Sequence, residues 1–451
     1  MQTRWATLNR TMKINKIRVE KLFDTFTHEI EFNHQENLTL ILGQNGLGKT
    51  MVLKIIKAIF EGDFVTLLNT QFSKIIVDLD DNTFWVIVRK IVDNQGQIHF
   101  SLLKGEEVID TLDFQNYRHN YKRLTQILRK FLPASFRRIE DDEWLDRRTD
   151  TVYTTPEIFN DYKKYIPEDL RQEYPIYPEW ISEVIKGQEV ALIETQRLLT
   201  ISKGATNTHY RESSTTYKNT VEEYSEHLAS QIRLQLAESS ELSTKLDRTY
   251  PNRLIERLKR TSDISQSDLN DNLSNLEKKR ERLHKVGLLD LKQEPSLSFI
   301  REQDVKIREV LLVYIEDSRL KLDVYDELAD KIELFLKIIN ERFLKKKLTI
   351  SRESGLIFKS EITGNDIPLK SLSSGEQHIL VLYYQLLFKL KENTLLLMDE
   401  PEISLHLSWQ KKIIDDLTEI LKLNPMDVVI ATHSPAVIGN KWELTVELNA
   451  E

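Results

Sequence analysis

Gly43-Gln-Asn-Gly-Leu-Gly-Lys-Thr50 is the stretch whose reading decides the fold. It fits G-x-x-x-x-G-K-[ST], a loop whose glycines let main-chain N–H groups wrap a phosphate without Cβ clashes. Leu38–Leu42 before it reads as a short apolar strand, and Val52, Ile55, Ile56 and Ile59 after it recur at helical spacing. A phosphate loop needs those flanks, because the start of a helix adds the positive end of a dipole. In this reading Asn45, Gly46, Leu47 and Gly48 form the cradle, Lys49 reaches the β- and γ-phosphates, and Thr50 ligates Mg²⁺. A glycine-rich turn that merely caps a helix is the plainer alternative, and the correct flanks argue against it.

Four further segments can be read around that loop. Thr394-Leu-Leu-Leu-Met-Asp399-Glu400 is a buried strand ending in two carboxylates. Asp399 can hold Mg²⁺ through water, and Glu400 can orient and polarise an attacking water. Leu372-Ser-Ser-Gly-Glu-Gln377 opens a helix, and reads equally as an ordinary N-cap with a capping box. Val190-Ala-Leu-Ile-Glu-Thr-Gln196 places a polar Gln at a strand exit, where it either contacts the metal and the attacking water or faces solvent. Gln196 is preferred to Gln71 because it stands at the junction with a helical segment. Val428-Val-Ile-Ala-Thr-His433 puts a histidine directly after a buried strand, where it can donate to a γ-phosphate or simply cap.

Outward from these motifs, residues 13–33 alternate as two strands, and residues 74–103 as a meander with turns at Asp80-Asp81-Asn82 and Asn94-Gln95-Gly96. Residues 115–134 have a helical period, and the polar stretch 135–187 reads as irregular with short helices. From about residue 217, Val221, Tyr224 and Leu228, then Leu269, Leu273, Leu276 and Leu283, then Tyr325, Leu328, Ile332, Phe335 and Ile339 form heptad-like seams flanked by charge. Pro295 breaks any single rod. The expectation is a helical insertion with antiparallel arms, or a plain helical bundle. Strands return at Leu348–Ile350 and Leu356–Lys359, helices at Glu376–Leu390 and His406–Leu421, and strands at Val428–Ala431 and Leu444–Leu448.

Composition agrees. The 451 residues include 13 Gly and 11 Pro, too few turn formers for a many-hairpin β protein. Charged residues make up 30% and the mean hydropathy is −0.41, as suits long solvated helices. The net charge of −8 does not point to nucleic acid, though a local basic groove is compatible with it. With no Cys, disulfides, thiolate metal sites and cysteine nucleophiles are excluded. No apolar run is long enough for a membrane span and the N-terminus lacks a signal-peptide core, so a soluble cytoplasmic bacterial protein is expected. Residues 1–12 read as a flexible tail outside the fold.

The five motifs in this order resemble an ABC-type ATPase head of the SMC/RecF/OLD branch, and Glu402-Ile-Ser-Leu-His406 is similar to that branch's D-loop. The resemblance covers residues 13–105, 190–203 and 348–448. It implies an α/β fold, a P-loop ATPase head with a mixed sheet and flanking helices, interrupted by a coiled-coil-like insertion. The implied segments are an N-terminal lobe at 13–203, the insertion at 204–347 and a C-terminal lobe at 348–451. ATP and Mg²⁺ are the implied cofactors. Hydrolysis would occur in a head-to-head dimer, itself part of a higher oligomer. Lys49, Thr50, Gln196, Asp399, Glu400 and His433 would come from one protomer, and Ser373 and Gly375 from the other. His406 would couple the two sites across the interface. Two departures stand out. Leu22-Phe-Asp-Thr-Phe26 lacks the basic residue many such heads carry in the first hairpin, which leaves Phe23 or Phe26 as the candidate adenine contact. Ser374 stands where a second glycine is commoner.

Within that branch the motif forms look like stand-alone ATPase subunits of anti-phage systems of the PARIS and Septu kind. That likeness implies an oligomeric scaffold and sensor, triggered by a phage protein, controlling a separate Toprim- or HNH-type nuclease. The chain ends 18 residues after His433, so no nuclease site is expected within it. A RecF- or SMC-like repair ATPase that binds DNA with ATP is the alternative. A transporter subunit ranks last, because 177 residues separate Gln196 from Ser373.

Overall fold

Leu38–Leu42 and two other apolar runs lie side by side at the centre of a parallel sheet in the structure, a computed structural model. It describes residues 13–79, 82–92, 95–115, 128–133, 135–139, 143–146, 151–154, 158, 189–194, 199–201, 217–259, 265–290, 305–403 and 405–448. The expected tail at 1–12 lies outside these. The chain divides into two units, one of residues 1–194, 393–401 and 426–451 and one of residues 195–392 and 402–425.

The first unit begins with β1 (Ile14–Leu22), β2 (Phe26–Glu31) and β3 (Leu38–Leu42), followed by α1 (Lys49–Glu61) and α2 (Phe64–Asn69). Next come β4 (Lys74–Leu79), β5 (Thr83–Val92), β6 (Gln95–Lys104) and β7 (Glu107–Gln115). Short strands β8 (Phe136–Arg138), β9 (Glu143–Asp146) and β10 (Thr151–Thr154) precede β11 (Val190–Ile193). The unit closes with β17 (Leu395–Asp399), β18 (Asp427–Thr432) and β19 (Thr445–Glu447).

Its strands segregate by direction. β11-β17-β18-β3-β19 is wholly parallel, and β2-β1-β4-β5-β6-β7 is antiparallel. The central parallel strands are apolar runs because both faces are covered: Leu395–Asp399 is buried throughout. The antiparallel strands alternate, as β4 does with Ile75, Val77 and Leu79 turned inward. One core joins Ile17, Ile75, Trp85 and Ile87 to Val52, Ile55, Ile56 and Ile59 of α1, and to Leu397, Val429 and Ala431 of the parallel sheet. α1 is therefore covered by apolar side chains from both sheets, which holds its first turn firmly at the end of β3.

The second unit contains β12 (Leu199–Ile201) and β13 (Tyr217–Asn219), then α3 (Thr220–Leu258), α4 (Gln266–Lys285), α5 (Val305–Asp323) and α6 (Asp326–Asn340). A small antiparallel sheet follows: β14 (Lys346–Ser351), β15 (Gly355–Ser360) and β16 (Asp366–Ile367). After it come α7 (Ser374–Tyr384) and α8 (Ile413–Leu423). α3 and α5 run antiparallel: Gln235 Nε2 donates to Val324 O, Ser239 Oγ to Lys321 O, Arg253 pairs with Asp317, and Arg257 Nε with Glu309 at 2.9 Å. Leu269 and Leu273 of α4 pack on Leu312 and Ile315 of α5. The first two heptad-like seams thus lie on α3 and α4, in an antiparallel α3–α5 pair with α4 alongside, and the third lies on α6. The buried side chains of α3 all lie between Thr220 and Ile232. Pro251 sits inside α3 without ending it, while Pro295 lies outside the described residues.

Gly355 anchors the base of α3. Its φ is +76°, and a Cβ there would stand 2.0 Å from Ser225 O. Ser225 Oγ donates to Ser354 O at 2.7 Å and accepts from Leu356 N at 2.8 Å. Gly355→Ala must both strain the turn and push it off the helix, so a loss of about 2–4 kcal/mol is expected. A denaturant melt checks it, and a loss below ~0.5 kcal/mol would contradict the close approach.

Several elements differ from the sequence reading. Gln115, expected to open a helix over 115–134, is the last residue of β7, and residues 116–127 lie outside the described part. The stretch 135–187, read as irregular, contains the β10-β9-β8 antiparallel sheet. The helix expected at Glu376–Leu390 widens into a π segment over Gln385–Lys389. Leu390 N donates to Gln385 O, and Asn424 Nδ2 satisfies the carbonyls of Leu386 and Leu390. The helix expected at His406–Leu421 is split, with a short turn at Leu407–Gln410 before α8.

Candidate functional site

Three adjacent parallel strands end together. β17 and β18 pair through Asp399 and Ala431, and β18 and β3 through Thr432 and Leu42. Glu400, His433 and Gly43, the next residues of each strand, therefore leave the sheet at one edge. It is the carboxyl edge, where α/β sheets bind ligands.

The loop from Gly43 to α1 is shaped by left-handed glycines. Gly46 has φ +92° and Gly48 φ +88°. A Cβ on Gly48 would stand 2.7 Å from Leu22 Cδ2 and 3.2 Å from Phe23 Cε2, so the β1–β2 turn closes directly on the loop. Gly46 opens into free space, and Asn45 is exposed. Gly48 is the N-cap of α1 and, among the described residues, no side chain caps that helix, so its first amides have no capping partner there.

Lys49 is only 5% exposed. Its Nζ donates to Gly43 O at 2.7 Å and Gln44 O at 3.2 Å, and stands 3.9 Å from Glu400 Oε1. Thr50 Oγ1 donates to Asp399 Oδ2 at 2.8 Å. Burial pushes the Asp399 carboxyl above its ordinary range, Thr50 pulls it back, and the Glu400 charge pushes it up again. His433 Nδ1 is 3.2 Å from Glu400 Oε1. Glu400 has φ +44°, a left-handed conformation costly for a side chain of its size, and its N–H donates to Ala431 O at 2.8 Å. That backbone turn sends the carboxylate between Lys49 and His433 instead of continuing the strand.

This donor set fits a magnesium-bound triphosphate. It combines a glycine cradle, an uncapped helix start, a buried lysine held by neutral carbonyls that a phosphate outcompetes, and a hydroxyl–carboxylate pair.

The second unit holds the Ser-Gly helix start. Ser373 is the N-cap of α7 in a full capping box: its N–H and Oγ–H donate to Glu376 Oε2 at 2.8 and 3.0 Å, and its Oγ accepts from Glu376 N. Gly375 lies in the first turn of that helix. Lys346 Nζ reaches both Glu376 oxygens at 2.8 Å. Burial acts to raise the Glu376 carboxyl, but Lys346 and Ser373 outweigh it, and the net shift is downward. His406 is exposed and caps the turn at Leu407–Gln410, accepting from Ser408 N at 3.3 Å. The structure thus brings Lys49, Thr50, Asp399, Glu400 and His433 into contact in the first unit, and places Ser373, Gly375 and His406 in the second. Gln196 lies outside the described residues.

Motif reading missed Lys346, because it sits in the run Lys345-Lys-Lys347 that resembles a solvated charge face. A depressed carboxyl contributes stability above its ordinary value of about 4.5 and loses it as pH falls through the folded value. Lys346→Met is therefore expected to cost about 1–2 kcal/mol at pH 7 and little in acid, where Glu376 is protonated in both proteins. Melts of both proteins across pH check this. An equal penalty at acid and neutral pH would contradict it.

A family model described as AAA ATPase domain matches residues 12–438. Solved structures with detectable similarity include the Smc head domain with an extended coiled coil bound to the C-terminal domain of ScpA from Pyrococcus furiosus. It is 12% identical over 95% of this chain and 92% of that one, with a TM-score of 0.33. The SMC head domain from Thermotoga maritima is 10% identical over 96% and 92%, with a TM-score of 0.31. No curated protein matches the chain. Among the described residues, no helix is long and apolar enough to cross a membrane.

Proposed function

Because the chain belongs to the AAA ATPase domain family, we propose that it binds Mg²⁺–ATP at the carboxyl edge of its parallel sheet and hydrolyses the terminal phosphate there. The observation that carries this reading is one run of contacts, Thr50–Asp399, Lys49–Glu400 and Glu400–His433, at 2.8, 3.9 and 3.2 Å. The amides of Asn45 to Gly48 and of the start of α1 hold the phosphates, and Lys49 moves from its loop carbonyls to the β- and γ-oxygens. Thr50 and Asp399 hold the Mg²⁺, which when bound supplies positive charge to the phosphate oxygens. Glu400 orients the attacking water and accepts its proton. His433 fixes the Glu400 carboxylate from the other side and donates to the γ-phosphate. Gln196, outside the described residues, is proposed for the contact with metal and water on the motif order alone. Phosphate release by the purified chain with Mg²⁺–ATP tests this, and no release at any protein concentration would overturn it.

In the same reading the site is completed in a head-to-head dimer, with Ser373 and Gly375 of one copy closing on the nucleotide of the other and His406 at the interface. The motif forms LSSGEQ, DEPEISLH and ATHSP support an anti-phage role, as a cytoplasmic oligomeric scaffold and sensor that answers a phage protein and controls a separate Toprim- or HNH-type nuclease. Co-purification with such a nuclease, and phage protection that needs both proteins, are the expected results. ATP-dependent retention of DNA without any nuclease partner would assign the chain to repair instead.

A further inference from the structure

We infer that His28 is a positioning residue of the phosphate loop, which fixes the Leu47–Gly48 peptide so that its carbonyl points away from the nucleotide. This rests on the nucleotide reading above and adds to it a residue outside all five motifs. His28 lies on β2, with 2% of its surface exposed, and its Nε2 is 2.7 Å from Leu47 O. A carbonyl only accepts, so Nε2 carries the proton. Nδ1 is buried and, among the described residues, has no hydrogen-bond partner, which keeps the ring neutral. The ring is stacked on Phe26, with centroids 5.8 Å apart and planes at 13°. It therefore presents Nε2–H in one direction only.

The need for such a bond follows from the loop's own chemistry. Gly46 and Gly48 stand on either side of Leu47, both with positive φ. Glycine adopts either sign of φ readily, so backbone preference alone does not choose which way the Leu47–Gly48 peptide faces. In one orientation its N–H faces the phosphates; flipped, its carbonyl dipole opposes them. The His28 bond holds the carbonyl outward. The Leu47 side chain, packed on the core of the first unit, fixes the other end of the residue. Burial also lowers the His28 pKa, in keeping with a neutral donor.

The test uses the purified chain, calorimetric titration with Mg²⁺–ATP, and steady-state hydrolysis. His28→Leu is expected to weaken ATP binding about tenfold and to raise KM by a similar factor, with kcat changed less than about threefold. Gln places its amide nitrogen near the position of Nε2, whereas Asn places it near Nδ1. His28→Gln is therefore expected to bind within about twofold of wild type, and His28→Asn to behave like His28→Leu. Equal affinities for the Gln and Asn variants would overturn the inference, even if the Leu variant fails to fold. So would unchanged affinity in a folded Leu variant. If wild type itself takes up no ATP, the nucleotide reading falls and this inference with it. Wild-type binding that survives in His28→Leu removes this inference alone.

Discussion

Glu400→Gln is expected to lower ATP turnover by about a thousandfold while leaving nucleotide affinity within about threefold of wild type. The substitution keeps the size and hydrogen-bonding reach of the side chain. It removes the charge that faces Lys49 at 3.9 Å and His433 at 3.2 Å, and with it the acceptor for the proton of the attacking water. Ground-state binding rests on the loop amides, Lys49 and Thr50, which the change does not touch. Affinity therefore stays while kcat falls, the pattern of an interaction made only in the transition state. Since hydrolysis no longer empties the site, a closed head dimer should accumulate with ATP and be visible by light scattering. Turnover within tenfold of wild type would remove Glu400 from the base role.

Lys49→Ala is expected to weaken ATP binding about a hundredfold. The ammonium sits in the folded loop, buried and bonded to the carbonyls of Gly43 and Gln44, so phosphate binding exchanges two neutral acceptors for charged ones. Alanine loses that exchange and also leaves the two carbonyls facing the anion. Calorimetry reads the loss directly, and unchanged affinity would show that the amides alone hold the nucleotide. The two variants divide the site by function: Lys49→Ala fails at binding, Glu400→Gln after it.

Much of this was legible in the residues because buried parallel strands are written as largely apolar runs. Leu38–Leu42, Leu395–Met398 and Val428–Ala431 announce themselves, and the one or two residues after each run are placed by topology at the same edge. The residues of the candidate site come from motifs more than 340 positions apart, yet Thr50 and Asp399 are within one hydrogen bond. What stayed hidden was structure carrying no period. β8 and β9 have three and four residues rich in charge, too short for alternation to register. The π segment depends on Asn424, a side chain distant in sequence that satisfies two of its carbonyls. His28 does have a local signal, a histidine at an inward position of an alternating strand between Phe26 and Ile30. Read alone, that pattern looks like a core residue, and only the 2.7 Å contact with Leu47 gives it a task.

The distribution of burial along α3 makes it a lever with its fulcrum at one end. No side chain of α3 beyond Ile232 is fully buried, and the remaining residues to Leu258 extend about 39 Å at 1.5 Å per residue. A tilt of about 10° at the packed base, where Gly355 presses against Ser225, sweeps the far end through about 7 Å. At the tip, a tilt of that size equals a shift by more than one helical turn. Arg253–Asp317 and Arg257–Glu309 tie α5 to the same beam, so the two helices swing as one.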